Sequence, residues 1–401
     1  PAPYFDNVAV KAWDPHGPDI MVDGQVTFAD PFPEAEALDP VNLAANWCRL
    51  DVSSVPFNSP GALGDSLVAD VRPARLGAVI TGTPALHWVM ACNPVFDAVR
   101  AEAPDGQGLL RGMVAGTDIS DATDTWSFDL PDTGFFFPGD RLQYYVTASD
   151  DLEGEVRTAV WPPDTTGVLD FTTDSSFPGE LRVTALPALA QPEPGVFSHP
   201  SMLFCDGDRS NKEADFWLAT FAELGLVRGV DFDVMSLKGT GARVGLGAQA
   251  KPADLARYAT LIYSSGTRPY DTLAGFDHSN DAGLVSDWLA TGNRRVLMAG
   301  DSMVSGFDHS LPCDILTAKL GVDLHYRDIS AFNGGFLDLQ VSPTASNGVL
   351  PMEVVWYVDG NCPDIRRFDS LYTAGLGRSS ATFDPAGSTG GPYSALVTTD
   401  D

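Results

Sequence analysis

The alternation of apolar and polar positions changes character near residue 200. Upstream, short alternating runs broken by Gly, Pro and Asp predict strands over 67–71, 86–91, 109–114, 125–130, 142–148 and 156–160. A period of two buries one face of each strand and leaves the other wet, so this stretch predicts a β-sandwich. Downstream, unbroken apolar runs such as Met202-Leu203-Phe204-Cys205, Leu261-Ile262-Tyr263 and Val296-Leu297-Met298-Ala299 predict strands covered on both faces, as does the stretch 232–237. Helical patterns separate them. Ser210-Asn211-Lys212-Glu213 reads as a capping box, and Phe216, Trp217, Leu218, Phe221 and Leu224 follow at helical spacing up to Gly225. A second helix is predicted over 281–291, with Gly292 behind it, and a third over 312–320, from Pro312 to the terminator Gly321. Strands return at 335–341, 354–358, 381–383 and 394–397.

The pattern predicts a multidomain chain, all-β in front and α/β behind. A length of 401 residues agrees with two to three domains. Residues 1–65 read as an N-terminal β segment or the end of a preceding β domain. Residues 66–165 form the sandwich. Residues 166–198 form a linker with a strand or two, stiffened by Pro178, Pro187, Pro192 and Pro194, and 199–401 the α/β domain. The alternating stretch 4–10 is an edge-strand candidate for pairing with another subunit.

Charge narrows the partners. The formal net charge is −30, and Asp supplies 44 of the 54 acidic residues. Such a chain repels phosphate backbones, which argues against nucleic acid as a partner. Asp favours turns, so much of this charge belongs to solvated loops, with binding of calcium or magnesium as the functional alternative. No apolar run is long enough to predict a membrane span. The first residues show neither a basic region nor an apolar core of a signal peptide; if a leader existed it has been removed, or the chain is part of a longer protein.

The five cysteines form no C-x-x-C pair, which argues against zinc-ribbon and c-type haem sites. The simplest assignment pairs Cys48 with Cys92 and Cys313 with Cys362 and leaves Cys205 as a buried thiol. Connectivity is not fixed by spacing, but such bridges would fit a secreted protein.

Two stretches resemble known modules. Trp126-Ser127-Phe128-Asp129-Leu130-Pro131, then Pro138-Gly139-Asp140-Arg141-Leu142-Gln143-Tyr144-Tyr145-Val146-Thr147-Ala148-Ser149-Asp150 and Gly154, resembles the closing hairpin of Ig-like or fibronectin-type modules in large secreted bacterial proteins. Met202 to Asp208, the helix to Gly225, Asp231-Phe232-Asp233-Val234, Ala259 to Tyr263, and Trp288-Leu289-Ala290-Thr291-Gly292 before Val296-Leu297-Met298-Ala299-Gly300-Asp301 resemble the glutamine-amidotransferase-like, flavodoxin-like domain found beside such modules. The stretch 315–322 fits the helix that follows that strand. The resemblances imply an Ig-like sandwich followed by a class I amidotransferase-like α/β domain. They also imply a secreted or cell-surface location and a structural or adhesive role, with self-association or other extracellular modules as partners.

Amidotransferase chemistry needs a nucleophilic Cys at the turn after a central strand. This chain has Gly300-Asp301-Ser302 there, which argues against that activity. Gly300-Asp301-Ser302-Met303 and Gly64-Asp65-Ser66-Leu67 look like the GDS block of lipase-like hydrolases. Val304 stands where the elbow G-x-S-x-G needs its second Gly, and His309 is the local partner for Ser302. A metal-dependent phosphohydrolase would use Asp206 as nucleophile and Asp208 as acid and base, with Mg²⁺ between Asp206 and Asp301. Ser264 or Ser265, Lys238 or Lys251, and Asp308 would complete that set. Asp118, Asp121 and Asp124 form another acidic loop, read as a solvated turn. Trp88, Trp126, Tyr144 and Tyr145 read as sandwich core rather than a carbohydrate platform. The expectation is a non-catalytic assembly protein without a cofactor. The phosphohydrolase and a glycan- or peptide-binding module remain as alternatives.

Overall fold

The computed structural model describes residues 19–22, 27–28, 66–73, 77–119, 125–131, 135–172, 181–207, 212–237, 245–250, 252–266, 281–300, 303–304, 315–326, 339–344, 356–358, 369–384 and 393–399. Strand predominates over helix and is divided among several sheets. The expected strand 4–10 lies outside the described residues.

The front half contains β1 (Asp19–Val22), β2 (Thr27–Phe28), β3 (Ser66–Arg72), β4 (Val79–Ala91), β5 (Leu109–Ala115), β6 (Thr117–Asp118), β7 (Thr125–Asp129), β8 (Arg141–Leu152) and β9 (Glu155–Trp161), joined by β10 (Arg182–Leu186). One antiparallel sheet runs β1-β3-β7-β6. The other runs β2-β10-β8-β4-β5, with β9 beside the far end of β8. Alternation explains why the two sheets share a core. Leu86, Trp88 and Met90 of β4 and Leu142, Tyr144, Val146 and Ala148 of β8 pack in one cluster with Leu67, Ala69 and Val71 of β3 and Phe128 of β7. Each fully buried Val, Leu, Met or Phe of this cluster contributes about 1.5–3 kcal/mol. Trp88 is covered on its strand partner β5 by Gly112, where a Cβ would lie 2.3 Å from the indole ring. The β8–β9 turn has Glu153 at φ 54° and Gly154 at φ 89°, both left-handed as a two-residue primed turn requires. Tyr145 departs from the expected core role. It faces outward and stacks on His87 at a centroid distance of 4.7 Å, because its odd position in β8 points away from Tyr144 and Val146.

The segment read as a linker with a strand or two carries three strands among its described residues. β10 closes the sandwich through the buried Val183 and Ala185, with Leu181 just ahead of it. Residues 190–198 form a hairpin of β11 (Ala190–Glu193) and β12 (Val196–Ser198). Its prolines sit where they cost no interior ladder bond: Pro192 lies in a two-stranded hairpin and Pro194 in its turn.

The back half contains β13 (Met202–Asp206), α1 (Lys212–Glu223), β14 (Phe232–Ser236), α2 (Leu246–Gln249), α3 (Pro252–Leu255), β15 (Thr260–Ser264), α4 (Asp281–Ala290) and β16 (Arg295–Ala299). The strands are parallel, in the order β14-β13-β15-β16. Both faces are covered, as the unbroken apolar runs require. Phe204, Val234 and Ile262 pack with Ala214 and Phe221 of α1. Leu203, Cys205, Met235, Leu261 and Tyr263 pack with Leu284, Val285 and Trp288 of α4 on the other side. Of the expected third helix, the structure places a single π-type turn, Ile315–Lys319, whose Ile315 and Leu316 join the α4 core; residues 312–314 lie outside the described residues.

The strands after residue 321 do not extend the parallel sheet. β17 (Val322–Tyr326), β18 (Leu339–Pro343), β19 (Trp356–Val358), β20 (Ser370–Thr373), β21 (Arg378–Asp384) and β22 (Tyr393–Thr398) form a six-stranded antiparallel sheet of order β17-β20-β22-β21-β18-β19. It meets the α/β core through Val322, Leu324, Leu371 and Val397.

Candidate functional site

Side chains at the carboxyl ends of β13, β14 and β15 form a polar row. In the strand register Asp206 lies opposite Ser236 on one side and Ser264 on the other. Strand alternation puts all three on the α1 face, one step beyond the apolar Phe204, Val234 and Ile262. Backbone bonds fix the level of the strands: Leu237 N–H donates to the Asp206 carbonyl at 2.7 Å, and Gly207 N–H to the Ser264 carbonyl at 2.8 Å. Asp206 is 2% exposed and Ser264 1%. The hydroxyls of Ser236, Ser264 and the neighbouring Ser265 have no hydrogen-bond partner among the described residues.

Asp206, Ser264 and Ser265 are thus the residues of the predicted phosphohydrolase set that the structure places. Asp208, Asp301 and Ser302 lie outside the described residues, as do Lys238, Lys251, Asp308 and His309. Next to Asp206, Cys205 is fully buried, and burial holds its thiol well above the ordinary range, with Asp281 and Asp206 adding to the effect. Such a thiol stays protonated and inert at neutral pH. Among the described residues no three His, Cys, Asp or Glu side chains come together as a metal set.

Cys92 is a free thiol among the described residues, and Cys48, its expected partner, lies outside them. The Cys92 Sγ lies 3.8 Å from the Met90 carbonyl and its side chain packs against the sandwich core. Burial, opposed by Arg100, pushes its pKa up to about 12. Cys205 is free, as expected. Cys313 and Cys362 also lie outside the described residues, and with them the second pairing.

A second concave site was not read from the sequence. A cavity of about 470 Å³ opens between the sandwich and the α/β unit, lined by Asn93, Arg141, Thr184, Gln191, Arg228 and Asp233 among others. Its floor is a hydrogen-bonded junction. Asp233 of β14 accepts from Ala188 N–H at 3.0 Å and from the Tyr258 hydroxyl at 2.7 Å. The Ala188 carbonyl accepts from His199 Nδ1 at 3.0 Å. Burial raises Asp233 to about 6 against the lowering effect of these donors and of Arg228, and it holds His199 below its ordinary value. On the sandwich side, the Asn93 amide donates to the Pro138 and Leu189 carbonyls at 2.6 and 2.8 Å. Asp140 accepts there from the buried Arg100 at 2.8 Å and from Phe137 N–H at 2.7 Å. The signal in the sequence was Asp233 itself, a lone carboxylate within the apolar run of β14.

No family model, curated protein or solved structure matches this chain.

Proposed function

We propose that the chain is a non-catalytic secreted or cell-surface protein that works by assembly, an Ig-like sandwich joined to a flavodoxin-like, amidotransferase-like unit. The observation that carries this reading is strand order. The sheet β1-β3-β7-β6 and the run β5-β4-β8, with β9 beside β8, support the Ig-like reading, in which first, second, fifth and fourth strands oppose the rest; β10 and β2 are additions on the β8 side. The order β14-β13-β15-β16 agrees with the first four strands of the flavodoxin-like arrangement. The raised thiols of Cys92 and Cys205 argue against these two residues as nucleophiles. The compartment rests on the module resemblance. Among the described residues no helix is long and apolar enough to cross a membrane.

Light scattering and negative-stain microscopy over a concentration series test the reading. Multimers or filaments that grow with concentration are expected, with no hydrolysis of phosphate esters. A strictly monomeric protein that turns over a phosphomonoester would overturn it. The second reading, a metal-dependent phosphohydrolase, is favoured by the place of Asp206 beside Ser264 at a sheet crest, where open α/β sheets bind ligands. Turnover abolished by Asp206→Asn is its signature.

A further inference from the structure

Buried hydroxyls normally find a partner, and one that does not is explained by an ion, a water or a functional role. Ser264 is 1% exposed and its Oγ has no partner among the described residues. It sits in register beside the buried carboxylate of Asp206 and on the same sheet face. Ser236, whose Oγ is also shut from water and unpartnered, flanks Asp206 on the other strand. Next in register after Ser264 stands Ala299, whose methyl group fills little of the crest. The order β14-β13-β15 makes this the place where the chain reverses its direction of winding, the position at which open parallel sheets leave a crevice outside their strand ends.

We propose that this crest holds one hard divalent cation, with the Asp206 carboxylate as its anionic ligand and the Ser264 and Ser236 hydroxyls as neutral oxygen ligands. The donor set is all oxygen, which suits magnesium or calcium and disfavours softer metals. Magnesium is usually held by as few as one or two protein carboxylates, with water completing the shell. The net charge of −30 raises the local concentration of cations around the chain. The site does not depend on whether the protein assembles or hydrolyses.

Isothermal titration of the full chain with MgCl₂ and, separately, CaCl₂ in 150 mM KCl tests it, alongside thermal unfolding in the same buffers. One saturable site is expected for at least one of the two ions, lost in Asp206→Asn and weakened about tenfold or more in Ser264→Ala, the loss of one ligand of about 1.4 kcal/mol. Ser264→Ala keeps the test decisive if Asp206→Asn does not fold. Without a divalent ion it should melt no lower than the parent, because it removes an orphaned hydroxyl; at saturating ion it should melt lower. Absence of saturable binding, equal binding by Asp206→Asn, or the same melting difference with and without ion overturns the proposal. Stabilisation by K⁺ alone that Asp206→Asn abolishes overturns the divalent assignment.

Discussion

Asp233 shows how a single buried carboxylate couples the two halves of the chain to pH. Its ordinary value is 3.8 and burial raises it to about 6 in the fold. Between these values the folded chain keeps a proton that the unfolded chain has released. The resulting stabilisation is complete below about pH 3.8 and is lost as pH rises through about 6, an effect of about 3 kcal/mol. Asp233→Asn removes the charge while its amide oxygen still accepts from Ala188 N–H and Tyr258. Urea denaturation should therefore find the variant more favoured relative to the parent at pH 8 than at pH 4 by about 2–3 kcal/mol. An offset independent of pH would show that the carboxyl titrates normally. Asp233→Ala should instead destabilise at every pH, because it leaves two buried donors unsatisfied at about 1–3 kcal/mol each.

At the level of elements, the pairing of Trp88 with Gly112 makes β4 and β5 interlock. Gly112→Ala would push a methyl group into the indole, so a loss of about 1–3 kcal/mol and a shifted tryptophan emission are expected. An unchanged urea midpoint would mean that the ring has room to turn. The sandwich strands were legible because each is half-buried and alternates; the parallel strands were legible because both faces are covered. The helix of 212–223 was legible from its apolar stripe and from Gly225 behind it. The expected helix near 312–320 had the right apolar residues, but Ile315 and Leu316 serve the α4 core from one π-type turn. Strand identity was readable for much of the last eighty residues, yet sheet membership was not. Local alternation says that a residue faces a core and is silent about which strand lies beside it. For the same reason Asp206 and Ser264 were found as separate strand-end residues, while their adjacency needed the register. The Asp233 junction escaped because its partners lie 25 and 45 residues away.

Across the whole molecule, two forces of different range set the behaviour. Short-range hydrogen bonds tie the sandwich to the α/β unit through the segment between them: Ala188 N–H donates to Asp233, and the Asn93 amide of the sandwich holds the same segment by donating to the Leu189 carbonyl. Asn93→Ala should expose the Pro138 and Leu189 carbonyls and separate calorimetric unfolding into two transitions where the parent shows one. A single transition in the variant would place the coupling elsewhere. Long-range repulsion from a net charge of −30 opposes contact between copies. Salt screens it over about 8 Å at physiological strength, so assembly should strengthen between 20 and roughly 300 mM KCl. Sedimentation that is independent of salt would argue against copy-to-copy contact through the acidic surface.

The antiparallel sheet has one property with a temporal reading. Its strand latest in the chain, β22, does not lie at a margin but between β20 and β21. During synthesis the neighbouring strands must therefore wait, with their inner ladder groups unclaimed, until residues 393–398 have left the ribosome. A nascent chain stalled short of that stretch would present open strand edges, and chaperone capture should fall sharply once it emerges.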